Sequence, residues 1–372
     1  MIPDINYMLL GQCFNLGEIH HHAIGSISIL LDDIAGQGNF QRIAVPMQMP
    51  ALTLVIGNTM TCVKLQAAGD EHGESRVKIR EGLYHRAKPT PTPNAMLSIT
   101  DHNRDTHGFR YAYPVVSRRA GGVSVGINLN PNNACNWACV YCQVPDLKRG
   151  GPPPIDVPLL RHELETLLED IIHGDFMLRE VPEDARVLMD IAFSGNGEPT
   201  SAPEFPQVVE CVLSIMHRFE LLPKVKLRLI TNGSLLHRKS VQEGIRKIGE
   251  VGGEVWFKFD RATKQGIKTV NKVVLDPDKA LHKLERCADL APTWVQTCWF
   301  EMDGIPPNES EQAAYIIALK RIQQKIKGVH LYGIARPSLQ PEAYRLNRLS
   351  PDSLKRFAQR ISDLGITTSI NP

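Results

Sequence analysis

From about residue 120 the chain repeats one pattern: a short apolar run of strand character, then a longer segment with apolar residues at helical spacing. The strand-like runs fall at 123–129, 187–193, 225–230, 254–259, 294–301 and 330–334. The helical segments are 159–172, 204–217, 239–248, 277–290, 310–326 and 351–364. In the first, Leu159, Leu160, Leu164, Leu167, Leu168 and Ile171 share one face; the last has Ser350 in position to cap it. A long basic connection separates the fourth strand from its helix. Six strands alternating with helices predict parallel βα units, in a barrel or an open sheet. In both, ligands gather at the carboxyl ends of the strands.

The chemically suggestive residues fall at those ends. After the first strand come Cys135, Cys139 and Cys142, spaced C-x3-C-x2-C with Tyr141 before the last. Structural zinc normally takes four ligands, and no fourth cysteine or histidine lies nearby in sequence. Three thiolates on one loop instead suit an iron–sulfur cluster with one iron left open. Gly195-Asn196-Gly197-Glu198-Pro199 follows the second strand and Thr231-Asn232-Gly233 the third. Lys258 and Asp260 close the fourth; Gln296, Thr297, Cys298 and Glu301 lie along the fifth; Ala335-Arg336-Pro337-Ser338 ends the sixth. Each of these also has a plainer reading. Glycine and Asn232 segments make turns, Lys258 and Asp260 form a surface ion pair, Gln296 and Glu301 line a barrel, Cys298 is a small buried hydrophobe, and Arg336 is a surface residue.

Together, the cysteine loop after the first strand and the glycine loop after the second resemble the signatures of the radical S-adenosylmethionine (radical SAM) superfamily. Aligned on Gly197-Glu198-Pro199, the family's G-G-E-P motif has Asn196 in place of its first glycine, with Gly195 one position earlier. The resemblance covers roughly residues 120–340. The Thr231-Asn232-Gly233 and Ala335-Arg336-Pro337 segments look like uncharacterised iron–sulfur oxidoreductases related to wyosine-tRNA synthases. The resemblance implies an α/β fold, a partial (β/α)6 TIM-like barrel, and two cofactors, a [4Fe–4S] cluster and S-adenosylmethionine. Cys135, Cys139 and Cys142 would hold the cluster, and the 5′-deoxyadenosyl radical released from S-adenosylmethionine would take hydrogen from a substrate. Gly195, Asn196 and Gly197 would meet the methionine ammonium, and Glu198 would orient that loop or accept a hydrogen bond from the ammonium. Asn232, Lys258 and Asp260 would bind ribose or carboxylate, and Tyr141 and Ala335 would flank adenine. Gln296, Glu301 and Arg336 are the candidate substrate residues. The substrate would be a tRNA base or a protein or peptide. A non-catalytic iron–sulfur electron carrier or binding protein is the alternative, although a carrier has no need of a nucleoside pocket.

The rest of the chain bounds these readings. Its 372 residues, 42% hydrophobic and 22% charged, are ordinary globular composition. A formal net charge of +2 excludes a global basic field. The basic runs, Arg118-Arg119 and those at 224–228, 238–247 and 320–327, read as solvated faces. The other five of the eight cysteines are scattered, so no disulfide framework is expected. A thiolate site predicts a reducing, cytoplasmic setting. No signal-peptide pattern opens the chain, and its longest apolar stretch, near 50–56, is too short to span a bilayer. No phosphate loop or dinucleotide fingerprint is present. Electrons would therefore come from a separate donor, flavodoxin- or ferredoxin-like by the resemblance. Three segments are expected: an irregular extension over 1–95, a core over 96–340 and a helical segment over 341–372. The extension shows no alternation of strand and helix, carries a His20-His21-His22 tract read as a solvated loop, and ends in a stiff Pro-Thr stretch at 88–94. Met96 offers a second translation start, which would place 1–95 upstream of the folded protein.

Overall fold

The computed structural model describes residues 96–98, 108–117 and 119–371 in full, and the backbone of six strands between residues 14 and 80. The chain divides into two compact units, Met1–Thr90 and Pro91–Pro372. The first holds strands Phe14–His22, Ser26–Asp33 and Gln41–Pro46 in one antiparallel sheet. Leu52–Ile56, Thr59–Gly69 and Ser75–Arg80 pair antiparallel in turn. The histidine tract lies in the first of these strands; its side chains, and the whole stretch 88–94, lie outside the described residues.

The second unit is built on one eight-stranded sheet: β1 Ala112–Ser117, β2 Gly122–Ile127, β3 Leu188–Phe193, β4 Lys226–Thr231, β5 Glu254–Lys258, β6 Thr293–Cys298, β7 Gly328–Tyr332 and β8 Thr368–Asn371. The strands lie in chain order. β2 to β8 run parallel, and β1 joins β2 antiparallel through a tight turn. Helices α1 Val157–Ile172, α2 Phe176–Glu180, α3 Phe205–Arg218, α4 Lys239–Glu250, α5 Lys264–Asn271, α6 Pro277–Ala288, α7 Glu309–Ile322 and α8 Pro351–Ser362 make the crossovers. Polar caps set several starts: Asp156 accepts from the Leu159 N–H, Asp276 from that of Asp278, and Ser350 from that of Ser353. Each has proline in the first turn, where no N–H is missed. No helix among the described residues is long and apolar enough to cross a membrane.

Strand alternation separates core from site. Val125 and Ile127 of β2, Phe193 of β3, Leu229 of β4, Val255 of β5, Val295 of β6 and Leu331 of β7 pack against the helices, through Leu164, Val212, Ile245, Leu284 and Ile361 among others. Full burial of each such side chain is worth about 1.5–3 kcal/mol. Their alternates, from Val115 and Ser124 through Asp190, Arg228 and Trp256 to Gln296 and Tyr332, line one cavity. Residues on one face of seven strands converge this way only if the sheet curls, so the architecture is a half-barrel, as the resemblance implied.

All six expected strands are present, with two more at the edges. β1 carries Pro114, which a sheet tolerates at an edge, and β8 has only four residues. The stretch 341–372 therefore holds a strand of the sheet as well as α8. The basic connection after β5 contains α5, capped by the Thr263 hydroxyl and closed by Lys272 in a left-handed conformation. The fifth strand ends at Cys298. Glu301 belongs to a separate two-residue strand, Glu301–Met302, paired with Leu346–Asn347.

At the inner end of the barrel the His330 ring stacks on Trp294, with centroids 4.5 Å apart, and tilts against Trp256 at 4.7 Å. Burial pushes its pKa down to about 4, and the charges of Arg119 and Arg228 add to the effect. A folded-state value below the unfolded one gives stability that is present above about pH 6.5 and is lost as pH falls toward the folded value. Between pH 7 and pH 5 the protein should lose about 2 kcal/mol that a His330→Gln variant does not. Urea midpoints of both proteins at the two pH values measure the difference; equal losses would show that the ring titrates normally.

Candidate functional site

The cavity inside the half-barrel has a volume of about 270 Å³. Its lining brings together Cys135, Cys139, Tyr141 and Cys142 from the loop after β2, residues 195–198 from the loop after β3, and Asn232 after β4. Lys258 of β5, Gln296 and Cys298 of β6, and Ala335 and Arg336 after β7 complete the set named from sequence. Asp260 and Glu301 are outside it.

The cysteine loop is fixed from both sides. The Val140 N–H donates to the Val270 carbonyl (2.9 Å) and that of Ala138 to Asn271 (3.3 Å), which ties the loop to the end of α5. Across the rim, the Ser338 hydroxyl donates to the Val140 carbonyl (2.7 Å), and Gln340 Nε2 to that of Val144 (2.8 Å). Behind the loop lies Asp260. Its carboxylate accepts from the Tyr141 hydroxyl (2.6 Å), Asn271 Nδ2 (2.8 Å) and the Cys298 N–H (2.8 Å). That carboxylate is committed to joining the loop, α5 and β6. Asp260 lies outside the main cavity but lines a smaller neighbouring pocket with Asn232 and Lys258.

The thiols sit among donors. The Trp137 N–H approaches Cys135 Sγ at 3.4 Å and Asn271 Nδ2 approaches Cys139 Sγ at 3.3 Å. Burial pushes the Cys139 thiol up to about 12 and raises that of Cys135, where the Trp137 N–H works the other way. Burial also disfavours the charged Lys258, but Cys139, Cys142, Asp260 and Cys135 together hold its pKa above the usual lysine value. Among the described residues no three acidic, histidine or cysteine side chains stand close enough to form a finished metal site. The donor set fits an iron–sulfur cluster: buried thiolates need adjacent cationic charge, which iron supplies, and N–H contacts to sulfur are of the kind that tune such clusters.

The loop after β3 is locked to the loop after β2. Gly195 has φ +134°, and a Cβ there would lie 2.5 Å from Asn128 Oδ1. A Cβ on Gly197 would lie 2.2 Å from the Ala134 carbonyl. Both glycines thus serve the approach of one loop to the other. Glu198, buried, accepts from the Thr200 hydroxyl (2.6 Å), the Thr231 hydroxyl (2.6 Å) and the Asn232 N–H (2.7 Å), so it orients the loop against β4. Asn232 Nδ2 reaches Asn136 Oδ1 at 2.9 Å and returns the brace to the cysteine loop. Asn196 donates to Asn133 Oδ1 (2.6 Å), while its own Oδ1 is buried without a partner.

Sequence reasoning missed the buried asparagines Asn128, Asn130 and Asn271, and Asp190, Arg228 and Trp256 inside the cavity. The asparagine-rich run 128–133 just before the motif was a visible turn signal. Asp190 in mid-strand was another, since a parallel strand covered on both faces has little use for a charge. Its carboxylate accepts from the Ser124 hydroxyl and pairs with Arg228, which also reaches Glu254 at 3.3 Å.

No protein-family model matches the chain. A UPF0026 protein of Methanocaldococcus jannaschii is 29% identical over 163 residues, 41% of this chain and 44% of that protein. The GTPase Obg of Brachyspira hyodysenteriae is 26% identical over 168 residues, 45% of this chain and 22% of that protein. The chain spans less than half the length of either curated relative. The similar solved structures are radical SAM enzymes. TYW1 with a lysine–pyruvate adduct bound has a TM-score of 0.44 at 14% identity, over 66% of this chain and 74% of that one. A radical SAM methyltransferase from Sphaerobacter thermophilus has 0.44 at 10%, over 96% and 77%. HydG, a maturase of the [FeFe]-hydrogenase, has 0.45 at 13%, over 66% and 50%.

Glu198→Gln puts an amide N–H₂ among three groups that already donate. It should destabilise the second unit by about 2–4 kcal/mol, the cost of losing charge-assisted bonds and burying an unpaired donor. Urea unfolding of the iron-free protein measures this; an unchanged midpoint would mean the carboxylate does not brace the two loops.

Proposed function

We propose that the chain is a radical SAM oxidoreductase in which Cys135, Cys139 and Cys142 hold one [4Fe–4S] cluster and S-adenosylmethionine binds beside it. The observation that carries this reading is the convergence of the three spaced thiols, on a braced loop, onto the cavity at the carboxyl ends of the strands. When bound, the two cofactors supply one-electron cleavage of the C5′–S bond and a radical that takes hydrogen from the substrate.

The chain's own residues would do the holding. Asn196, with an unpartnered Oδ1, would accept from the methionine ammonium beside Gly195 and Gly197. Lys258 would pair with the carboxylate. Asn232, whose Oδ1 accepts the Ser234 N–H at 3.0 Å, would contribute near the ribose. The Ala335 backbone and the buried Tyr141 ring would border the base. Glu198 and Asp260 position these groups without touching the ligand. The cavity walls would limit the access of water, which protects a reactive intermediate. An external protein donor, flavodoxin- or ferredoxin-like, would supply the electron. A tRNA base or a peptide would be the substrate, with Arg336 at the mouth. The setting would be cytoplasmic, residues 96–340 the catalytic core, and residues 1–95 an extension to it.

Anaerobic reconstitution should load about four irons per chain, and Cys135→Ala, Cys139→Ala or Cys142→Ala should each abolish loading. A cluster that persists in all three variants would refute the assignment. With dithionite and S-adenosylmethionine, the loaded protein should release 5′-deoxyadenosine, measured by chromatography. A loaded protein that releases none is an electron carrier.

A further inference from the structure

Inside the half-barrel cavity, hydrogen-bond donors without acceptors gather on one set of strands. Arg119 enters from the β1–β2 turn, where the Gly121 N–H donates to the Ser117 carbonyl at 2.9 Å. β2 runs from that turn toward the cysteines, so the turn marks the opposite end of the sheet. The guanidinium lies 5.3 Å from the Trp256 ring centroid and 5.0 Å from that of Tyr332. Among the described residues it pairs with no carboxylate. Arg228, on the same face, is already matched by Asp190 and Glu254.

Two further donors line the same cavity. Gln296 is 1% exposed and its Nε2 has no partner. Trp256 is buried and its Nε1 also has none. The side chains of arginine and tryptophan cannot accept, and the glutamine amide nitrogen only donates. Two buried donors without acceptors, Gln296 Nε2 and Trp256 Nε1, are costly unless an acceptor arrives, and the half-buried Arg119 guanidinium adds a positive charge 5.3 Å from the Trp256 ring. A ligand group with several acceptor atoms and a negative charge answers all three. The charged side chains facing the cavity agree: Arg119, Arg228, Lys258 and Arg336 stand against the carboxylates of Asp190 and Glu198. Both carboxylates are already hydrogen-bonded.

We propose that Arg119, Gln296 and Trp256 form an oxyanion site that holds a carboxylate or phosphate group of the substrate inside the cavity. That this ligand is the substrate rests on the function proposed above; the binding of an oxyanion by these residues does not.

The test uses the iron-free full-length chain. Inorganic phosphate and acetate are titrated separately at fixed ionic strength, with tryptophan emission as the readout. At least one should bind saturably. Phosphate alone indicates a phosphorylated substrate, and acetate a carboxylic acid. Arg119→Gln should weaken binding by about tenfold or more, Gln296→Leu by several-fold, and Arg119→Lys should recover part of the loss. If neither anion binds, or if Arg119→Gln and Gln296→Leu, with wild-type circular dichroism, bind like the parent, the proposal fails. Iron loading of the same wild-type preparation separates the two readings. Anion binding without iron loading supports the oxyanion site and sinks the radical assignment; iron loading without anion binding does the reverse.

Discussion

A single buried carboxylate, that of Asp260, joins three parts of the structure on which the site depends. It takes donors from the cysteine loop, from the end of α5 and from the last residue of β6. A bare charge in that position would be costly, and three hydrogen bonds make it tolerable. Arg261 follows it, buried, and donates to the Asp260 and Cys298 carbonyls at 2.7 and 3.0 Å, with its guanidinium 4.4 Å from the Trp299 ring centroid. The cysteine loop has almost no regular structure of its own, so its shape is imposed by these contacts. Glu198 does the same for the neighbouring loop. Two carboxylates behind the rim thus fix the positions of the groups that face the cavity.

That division explains which features were legible in the sequence. Most parallel strands were readable because their core faces keep a two-residue period of Val, Ile, Leu and Phe, although β6 has Thr293 and Thr297 on either side of Val295. The cysteines were readable because their spacing is unusual. The bracing role of Asp260 was not, and that of Glu198 was readable only as one of two alternatives, because a carboxylate that binds a ligand and one that braces a loop are the same residue type at the same strand end. Only the direction of their hydrogen bonds separates the two. Glu301 shows a different limit. Nothing in the apolar run from 294 onward marks the break after Cys298, which the pairing of Glu301–Met302 with Leu346–Asn347 creates from a distance.

The two ends of the cavity are built on different principles. At the rim the polar groups of the chain mostly satisfy one another, which gives a stiff frame with few unfilled valences, Asn196 Oδ1 among them. At the inner end, aromatic rings, a histidine forced neutral and unmatched donors share a small space. A stiff rim suits the repeated placement of one cofactor, and an unsatisfied interior suits discrimination among ligands that must supply what is missing.

Pro114 shows how an unclosed barrel can finish its margin. The Asn128 N–H to Tyr111 carbonyl bond makes 111 and 128 a bonded pair, so with the register of β1 and β2 the pair Pro114 and Val125 is an unbonded one. The proline nitrogen therefore turns away from β2, on the side where an ordinary residue would present an N–H with no partner in the sheet. Because Ala112 to Val116 are all buried, such an N–H left unpaired would cost about 1–3 kcal/mol. At the far edge β8 offers only four residues to pair with. The half-barrel thus ends on one side in a strand that lacks the donor its sheet could not use, and on the other in a strand too short to leave many.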